Sequence, residues 1–139
     1  MRSCAGALFL DFVIASQLCP NITVMPDTRA LPRSPEQLLE ELFAIFPQYR
    51  AGYPGPIHDD PPTFHSVLIG FSSLLPGMLM SSSEAQLRGF GELVSAAVQA
   101  GGPLANAFET CLLEHLHQIR AERALRPYLS KMARERTKA

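Results

Sequence analysis

The sequence predicts an all-α protein of four to five antiparallel helices, arranged as HEAT-like helical hairpins or as a bundle. Three observations lead to this fold class. Apolar residues recur at the i, i+3, i+4 and i+7 spacing of a helix in separate segments along the chain. Ser, Thr, Pro and Gly residues stand where these segments begin and end. No segment alternates apolar and polar residues beside a hairpin turn, so the pattern does not indicate a sheet.

The composition is that of one globular domain. The chain has 139 residues, a net charge of -1 and 47% hydrophobic residues, which excludes a disordered chain and a coiled coil. The near-neutral charge also argues against a nucleic-acid binder. We expect a single helical domain over residues 34–139, preceded by an N-terminal extension or linker over residues 1–33.

The first 24 residues leave three interpretations open. Arg2 precedes an apolar stretch from Ala5 to Leu18, as in a secretion signal, but Asp11 interrupts that stretch. It is also too short to cross a bilayer. The alternatives are a buried strand or helix, and an extension upstream of a natural start at Met25. We expect a cytoplasmic protein.

The first helix begins at a clear start signal. Ser34 caps the helix, Pro35 takes the first helical position, and Gln37 completes a capping box with Ser34. The apolar residues that follow share one face, and Pro47 marks the predicted end. The acidic residues of this helix fall on its solvent side: Glu36, Glu40 and Glu41.

A connection of 15 residues is predicted to follow, from Gln48 to Pro62. Connections this long in a compact domain are usually functional or disordered. We expect this one to be functional, because loops carry binding residues disproportionately often. Its aromatic and titratable residues are Tyr49, Tyr53, His58, Asp59 and Asp60.

Two further helices follow this connection. The second starts after Pro61-Pro62 with Thr63 as a cap, and it kinks or ends at Pro76-Gly77. The third starts at a capping box formed by Ser81 and Glu84. Both carry an apolar face at helical spacing, so both are expected to pack on the core.

The remaining helices are marked by glycine and proline. Gly101-Gly102 ends the third helix, and Pro103 starts a fourth whose apolar face extends to Ile119. A last helix begins near Pro127. Glycines 89 and 91 lie inside the third helical pattern, so they do not form a cofactor loop.

Charge is distributed unevenly along the helical region. Residues 34–62 carry a net charge of -4, and residues 120–139 carry +5. A basic end of this kind is typical of a solvated helix terminus, which the helix dipole favours. The alternative is an electrostatic patch for an acidic partner or for nucleic acid.

No cluster of residues points clearly to catalysis. The best candidate metal ligands are His58, Asp59 and Asp60 with His65, but adjacent residues rarely converge on one ion. A helix would place His115 and His117 on different faces. The sequence also lacks a phosphate-binding glycine loop, GxSxG and HExxH. The three cysteines form no disulfide framework and no CxxC pair: Cys4, Cys19 and Cys111.

Four short motifs, taken in order, resemble a known family. They are Phe46-Pro47-x-Tyr49, Asp60-x-x-Thr63-Phe64-His65, Ala107-x-x-Thr110-Cys111-Leu112-Leu113-Glu114-His115-Leu116 and Leu125-x-Pro127-Tyr128-Leu129-Ser130. Together they are similar to a family of small all-helical bacterial proteins of unknown function, found near polymorphic toxin genes and regarded as immunity proteins. The resemblance covers roughly residues 35–134 and supplies no catalytic residues.

The resemblance implies a non-enzymatic protein, without a cofactor, that neutralises a cognate protein toxin by direct contact. A nuclease toxin with a basic cleft would contact the acidic first helix and the connection after it. The residues expected there are Glu36, Glu40, Glu41, Tyr49, Tyr53, His58, Asp59 and Asp60. A toxin with an acidic surface would instead contact residues 120–138. We expect a monomer or homodimer, and no small-molecule substrate, nucleic acid or membrane as a partner.

Two other functions stay open. A helical adaptor or dimerisation module would leave an apolar stripe exposed, for example at Met78, Leu79 and Met80. A small metal-dependent hydrolase would need its histidines and aspartates to converge on one ion.

Overall fold

A computed structural model describes residues 30–56 and 61–137 of the chain. Within these two ranges it contains α-helices and no strands, which confirms the all-α class. The predictions made for residues 1–29 and for His58, Asp59 and Asp60 lie outside the described residues. The helices are α1 (Pro35–Ile45), α2 (Pro47–Gly52), α3 (Phe64–Leu79), α4 (Glu84–Ala100), α5 (Gly102–Cys111), α6 (Glu122–Leu125) and α7 (Lys131–Glu135).

The start of α1 lies where it was predicted, with one difference in its capping. The Ser34 hydroxyl accepts a hydrogen bond of 3.1 Å from the Gln37 backbone N–H, as expected of an N-cap. The Gln37 side chain, however, accepts from the backbone N–H of Arg33 at 2.7 Å, one residue before the cap. The bond therefore fastens the extended segment in front of α1 to the first turn of the helix.

The caps of α3 and α4 are full capping boxes. Thr63 caps α3 as predicted, and Ser66 supplies the reciprocal side chain. The box of α4 is formed by Ser83 and Gln86, two residues later than the predicted pair. Because three serines stand in a row, two registers satisfy the same local pattern, Ser81 with Glu84 and Ser83 with Gln86, and the sequence did not distinguish them.

The segment after α1 differs from the prediction. Pro47 does follow the end of α1, but it also occupies the first position of a second short helix, α2. Proline suits that position because its missing N–H would have no partner there. The predicted 15-residue connection is therefore helical over its first residues, and Tyr49 lies inside that helix.

Helix α3 continues through its internal proline to Leu79. A proline removes one backbone hydrogen bond from the preceding turn. Leu75 and Met78, on either side of Pro76, are both buried, so packing holds the helix together beyond the proline. The helix therefore does not end at Pro76-Gly77, and the alternative of a kink there stays a prediction.

The C-terminal third consists of shorter helices than the spacing of its apolar residues predicts. Helix α5 ends at Cys111 rather than near Ile119, and a 3-10 turn follows at Leu113–His115. The predicted last helix is divided into α6, a 3-10 turn at Arg126–Tyr128, and α7. Leu112, Leu113 and Leu116, in and beside the first of these turns, are all fully buried.

The four longest helices form a bundle around one core. Helix α1 packs against α3 and α4, and α5 packs against the same two helices. Four fully buried phenylalanines connect these helices: Phe46, Phe71, Phe90 and Phe108. The distances between the ring centroids of successive members of this series are 5.7, 5.2 and 6.3 Å. Helices α6 and α7 lie on the outside of α4.

A glycine in α4 allows the C-terminal turn to approach closely. A Cβ at Gly91 would lie 2.6 Å from Tyr128 Cβ and nearer still to the Tyr128 carbonyl oxygen. The backbone of the 3-10 turn therefore rests directly on α4, and Ser130 N–H donates to Ser95 Oγ at 2.9 Å beside it. Among the described helices, none is long and apolar enough to cross a membrane.

Candidate functional site

The acidic residues of α1 line an open groove of about 460 Å³ on the outside of the bundle. We call it the acidic groove. One wall is the extended segment in front of α1, and the other is the solvent side of α1. Its lining residues are Ala30, Leu31, Pro32, Glu36, Gln37, Glu40, Glu41 and Ala44.

The acidic groove combines apolar and charged surface. Pro32 is buried and Leu31 is half-buried against the core, so the segment before α1 is packed onto the domain. Glu36 and Glu40 are exposed. Glu36 has no ion pair with any residue that the structure describes. The groove can therefore accept the apolar stem of a basic side chain as well as its charge.

One ion pair holds the edge of this groove. Glu40 Oε1 accepts a hydrogen bond of 3.0 Å from Arg50 Nη2, which joins α1 to α2. The Arg50 guanidinium also lies over the Phe43 ring, 4.5 Å from its centroid. Because both charged side chains are largely exposed, we expect the ion pair itself to contribute little to stability.

The two tyrosines predicted as partner anchors differ in their exposure. Tyr49 is only 2% exposed, with its ring centroid 5.1 Å from that of Phe71 and 5.6 Å from that of Tyr53. Burial, together with the smaller effect of the neighbouring Tyr53, raises the pKa of Tyr49 to about 12. Tyr53 is half-buried and reaches the surface. Tyr49 therefore belongs to the core and offers almost no surface to a partner.

A second groove, of about 850 Å³ and of opposite charge, lies at the C-terminal end. We call it the basic groove. Four guanidinium groups and one imidazole face a single carboxylate there. The lining residues are His117, Arg120, Glu122, Arg123, Arg126, Pro127 and Arg134.

Hydrogen bonds hold part of the basic groove in place. Glu122 accepts from Arg126 Nη1 at 2.9 Å and lies 3.6 Å from His117 Nδ1. Arg134 Nη1 donates to the Leu129 carbonyl at 2.9 Å. Within residues 30–56 and 61–137, Arg120 and Arg123 have no ion pair. Two of the four arginines are therefore held by hydrogen bonds, and the other two face the groove with no ion pair to a described residue.

The backbone at Arg120 is unusual. Its φ of 61° lies in the left-handed region. This conformation costs an L-residue with a Cβ about 1 kcal/mol or more. Ala121 N–H donates to the Leu116 carbonyl at 2.9 Å, and Arg120 N–H donates to the His117 carbonyl at 3.1 Å. This pair of bonds is the Schellman motif, whose left-handed position is usually glycine.

The histidines and the cysteine of the described chain do not assemble into a reactive site. His65 is exposed, and its Nε2 lies 3.4 Å from the Asn106 amide. His115 pairs with Gln118 at 2.9 Å. Among the described residues, no three His, Cys, Asp or Glu side chains are close enough together to hold a metal ion. Cys111 is half-buried, with its Sγ 3.7 Å from Thr110 Oγ1.

The apolar stripe that would favour a dimerisation module is incomplete. Met78 is buried and Leu79 is half-buried, while Met80 alone of the three is strongly exposed, at 92%. One exposed methionine is ordinary on a protein surface.

Comparison with protein-family models, with characterised proteins and with solved structures gives no match. No family or function is therefore assigned to the chain by similarity.

The prediction grouped the carboxylates of α1 with the connection that follows it, but no described residue of that connection lines the acidic groove. The basic residues 120–139 were interpreted first as a solvated helix end. The acidic residues of α1 follow directly from helical periodicity. The arginines at 120, 123 and 126 recur every third residue, a spacing that could have indicated a row of like charges on one side. The left-handed backbone at Arg120 had no sequence signal, because glycine is absent from that turn.

Proposed function

We propose that this protein is a non-enzymatic binding domain that holds a basic protein partner in the acidic groove. The observation that carries the proposal is the combination of an apolar wall at Ala30 and Leu31 with exposed carboxylates at Glu36 and Glu40. An arginine or lysine of the partner can lay its stem on the wall and place its charge between the carboxylates. Complementary charge speeds association and selects the partner.

The more specific proposal is that the partner is a toxin and that binding neutralises it. The motif resemblance to toxin-associated immunity proteins supports this. A nuclease toxin needs a basic cleft for its substrate, and a domain with an acidic groove can cover such a cleft without any chemistry of its own. Specificity would come from charges that repel other partners as much as from those that attract the right one.

Charge reversal in the groove tests the proposal. The variant Glu36→Lys/Glu40→Lys changes the sign of the groove's exposed carboxylates. Glu92→Lys is a matched control, because Glu92 is an exposed helical glutamate on α4 that does not line the groove. Each full-length protein is tagged, partners are captured from a lysate of the source organism, and the partner's gene is expressed with each variant. Thermal unfolding checks that all three are folded.

The expected result is a partner that stops growth when expressed alone. The wild type and Glu92→Lys should restore growth, and the double variant should neither bind nor restore it. Equal binding by all three proteins would contradict the acidic groove as the contact surface. A partner that is lost in the double variant but is not toxic would retain the binding function and exclude neutralisation.

A further inference from the structure

The basic groove has the features of a second binding site, separate from the acidic groove. We propose that it binds an extended acidic segment of a protein, with Arg120 and Arg123 each pairing with a carboxylate. The inference goes beyond the proposed function and does not depend on it, because the two grooves share no lining residue.

The charge of the groove is the first reason. Four arginines line it against one glutamate, and that glutamate is already bonded to Arg126. Arg120 and Arg123 have no ion pair within the described part of the chain. A guanidinium presents N–H donors in a fixed fork that matches the two oxygens of a carboxylate. Arg120 and Arg123 can therefore each bind one carboxylate of a ligand.

The backbone at Arg120 is the second reason. The left-handed position of a Schellman motif favours glycine, and an arginine there strains the turn. The apolar contact that accompanies the motif is intact, since Leu116 and Ala121 are both fully buried. Glycine would thus serve the fold better than arginine. Strain of this kind, held in place by its surroundings, is typical of functional sites.

The spacing of the arginines identifies the ligand class. Arg120, Arg123 and Arg126 recur at three-residue intervals before, within and after α6, and all line one open groove. Several separate cations fit several separate anions along an extended chain better than they fit one small ion.

The scarcity of stacking surface in the groove favours a peptide over nucleic acid. Among the lining residues in the described chain there is no Phe, Tyr or Trp, and the one aromatic ring, the His117 imidazole, lies beside Glu122. Tyr128, the neighbouring aromatic, is half-buried and has the Arg88 guanidinium 5.5 Å from its ring centroid. Binding of single-stranded nucleic acid usually adds base stacking on exposed aromatics to the charge.

The test is binding of a fluorescent peptide of alternating Asp and Ser to the full chain, followed by anisotropy at several salt concentrations. An oligouridylate of equal charge is the nucleic-acid probe. Arg120→Gly is the decisive variant, and Arg123→Gln is the second. Lys131→Gln is the matched control, because Lys131 is an exposed cation in the same region that does not line the groove.

Arg120→Gly should move stability and binding in opposite directions. We expect the Tm to rise by about 4 °C as the strain is removed, and peptide affinity to fall about tenfold. Arg123→Gln should weaken binding without raising the Tm, and Lys131→Gln should leave both nearly unchanged.

Four results would overturn the proposal. They are unchanged peptide affinity in Arg120→Gly, an equal loss in Lys131→Gln, tighter binding of the oligouridylate than of the peptide, and no saturable peptide binding by the wild type. None of them bears on the acidic groove, so the proposed function and this inference can fail separately.

Discussion

The acidic groove and the basic groove differ in how the chain builds them. The acidic groove needs one regular helix and the extended segment in front of it. The basic groove needs a strained turn at Arg120, two short helices and a 3-10 turn that lies on α4. A charged face on a regular helix follows from the local sequence periodicity. A groove built from turns depends on contacts between residues that are far apart in the sequence. Mutations far from the charges should therefore affect the second groove more than the first.

The largest effect is expected at Gly91. The change Gly91→Ala places a methyl group against the backbone of Tyr128, and backbone cannot move aside as a flexible side chain does. We expect a loss of about 3 kcal/mol in the free energy of unfolding, at the upper end for overpacking. Displacement of the 3-10 turn should also weaken acidic-peptide binding. Urea unfolding and peptide anisotropy measure the two effects.

Gly89 provides the control for this change. It lies in the same helix, and a Cβ there would meet nothing within 4 Å. Gly89→Ala should stabilise the protein by about 0.5–1 kcal/mol, because alanine loses less entropy in a helix. If Gly91→Ala proved as harmless as Gly89→Ala, the close contact between α4 and the C-terminal turn would not exist in solution.

A smaller effect, on the acidic side of the molecule, is expected from alkaline pH. The folded pKa of Tyr49 is about 12, above the ordinary value of 10.0, so folding favours the neutral phenol. The neutral Tyr49 phenol therefore contributes to the free energy of unfolding in full below pH 10, and this contribution is lost as the pH rises from 10 to 12. We expect a loss of about 1 kcal/mol by pH 11 relative to pH 9, measured by urea unfolding.

Tyr49→Phe separates this residue from the other groups that titrate at high pH. The Tyr49 hydroxyl has no hydrogen bond to any residue in the described ranges, so phenylalanine should fit the site with little change at pH 8. The variant should lose about 1 kcal/mol less than the wild type between pH 9 and pH 11. The same alkaline loss in both proteins would show that Tyr49 is not the group responsible.

The smallest effect is expected at the ion pair beside the acidic groove. Glu40→Gln removes an exposed pair, and we expect less than about 0.5 kcal/mol of destabilisation. Arg50→Ala removes the same pair together with the guanidinium over the Phe43 ring, so it should cost about 0.5–1 kcal/mol more. Thermal unfolding of the two variants compares them. Equal losses would mean that the ring contact contributes nothing.

Helix starts were the most predictable part of the fold. Ser34, Thr63 and Pro103 mark the starts of α1, α3 and α5 as predicted, because capping and proline preferences act within one turn. Helix ends were less predictable. Pro47 was interpreted as a stop, although the same residue starts α2. Pro76 was interpreted as a stop or kink, although the packing of its buried neighbours carries α3 past it.

The candidate sites show the same division. The carboxylates of α1 were placed correctly on a solvent face, since helical periodicity is a local property. Tyr49 was predicted at the surface and is buried, because α2 turns its ring towards Phe43 and Phe71. Its burial depends on residues from two other helices, which no local pattern specifies.

The amino-acid pattern alone was sufficient for the all-α class, the main helices and the acidic face, because each rests on interactions within a few residues. The basic groove required the folded molecule. A continued α5 would place Leu113 on the opposite side from Leu104, but with the turn after α5 both are buried, and Arg120 follows in the left-handed region. Gly91 then lets the following turn lie on α4. Burial of apolar side chains by distant parts of the chain outweighed the local preference for a longer helix.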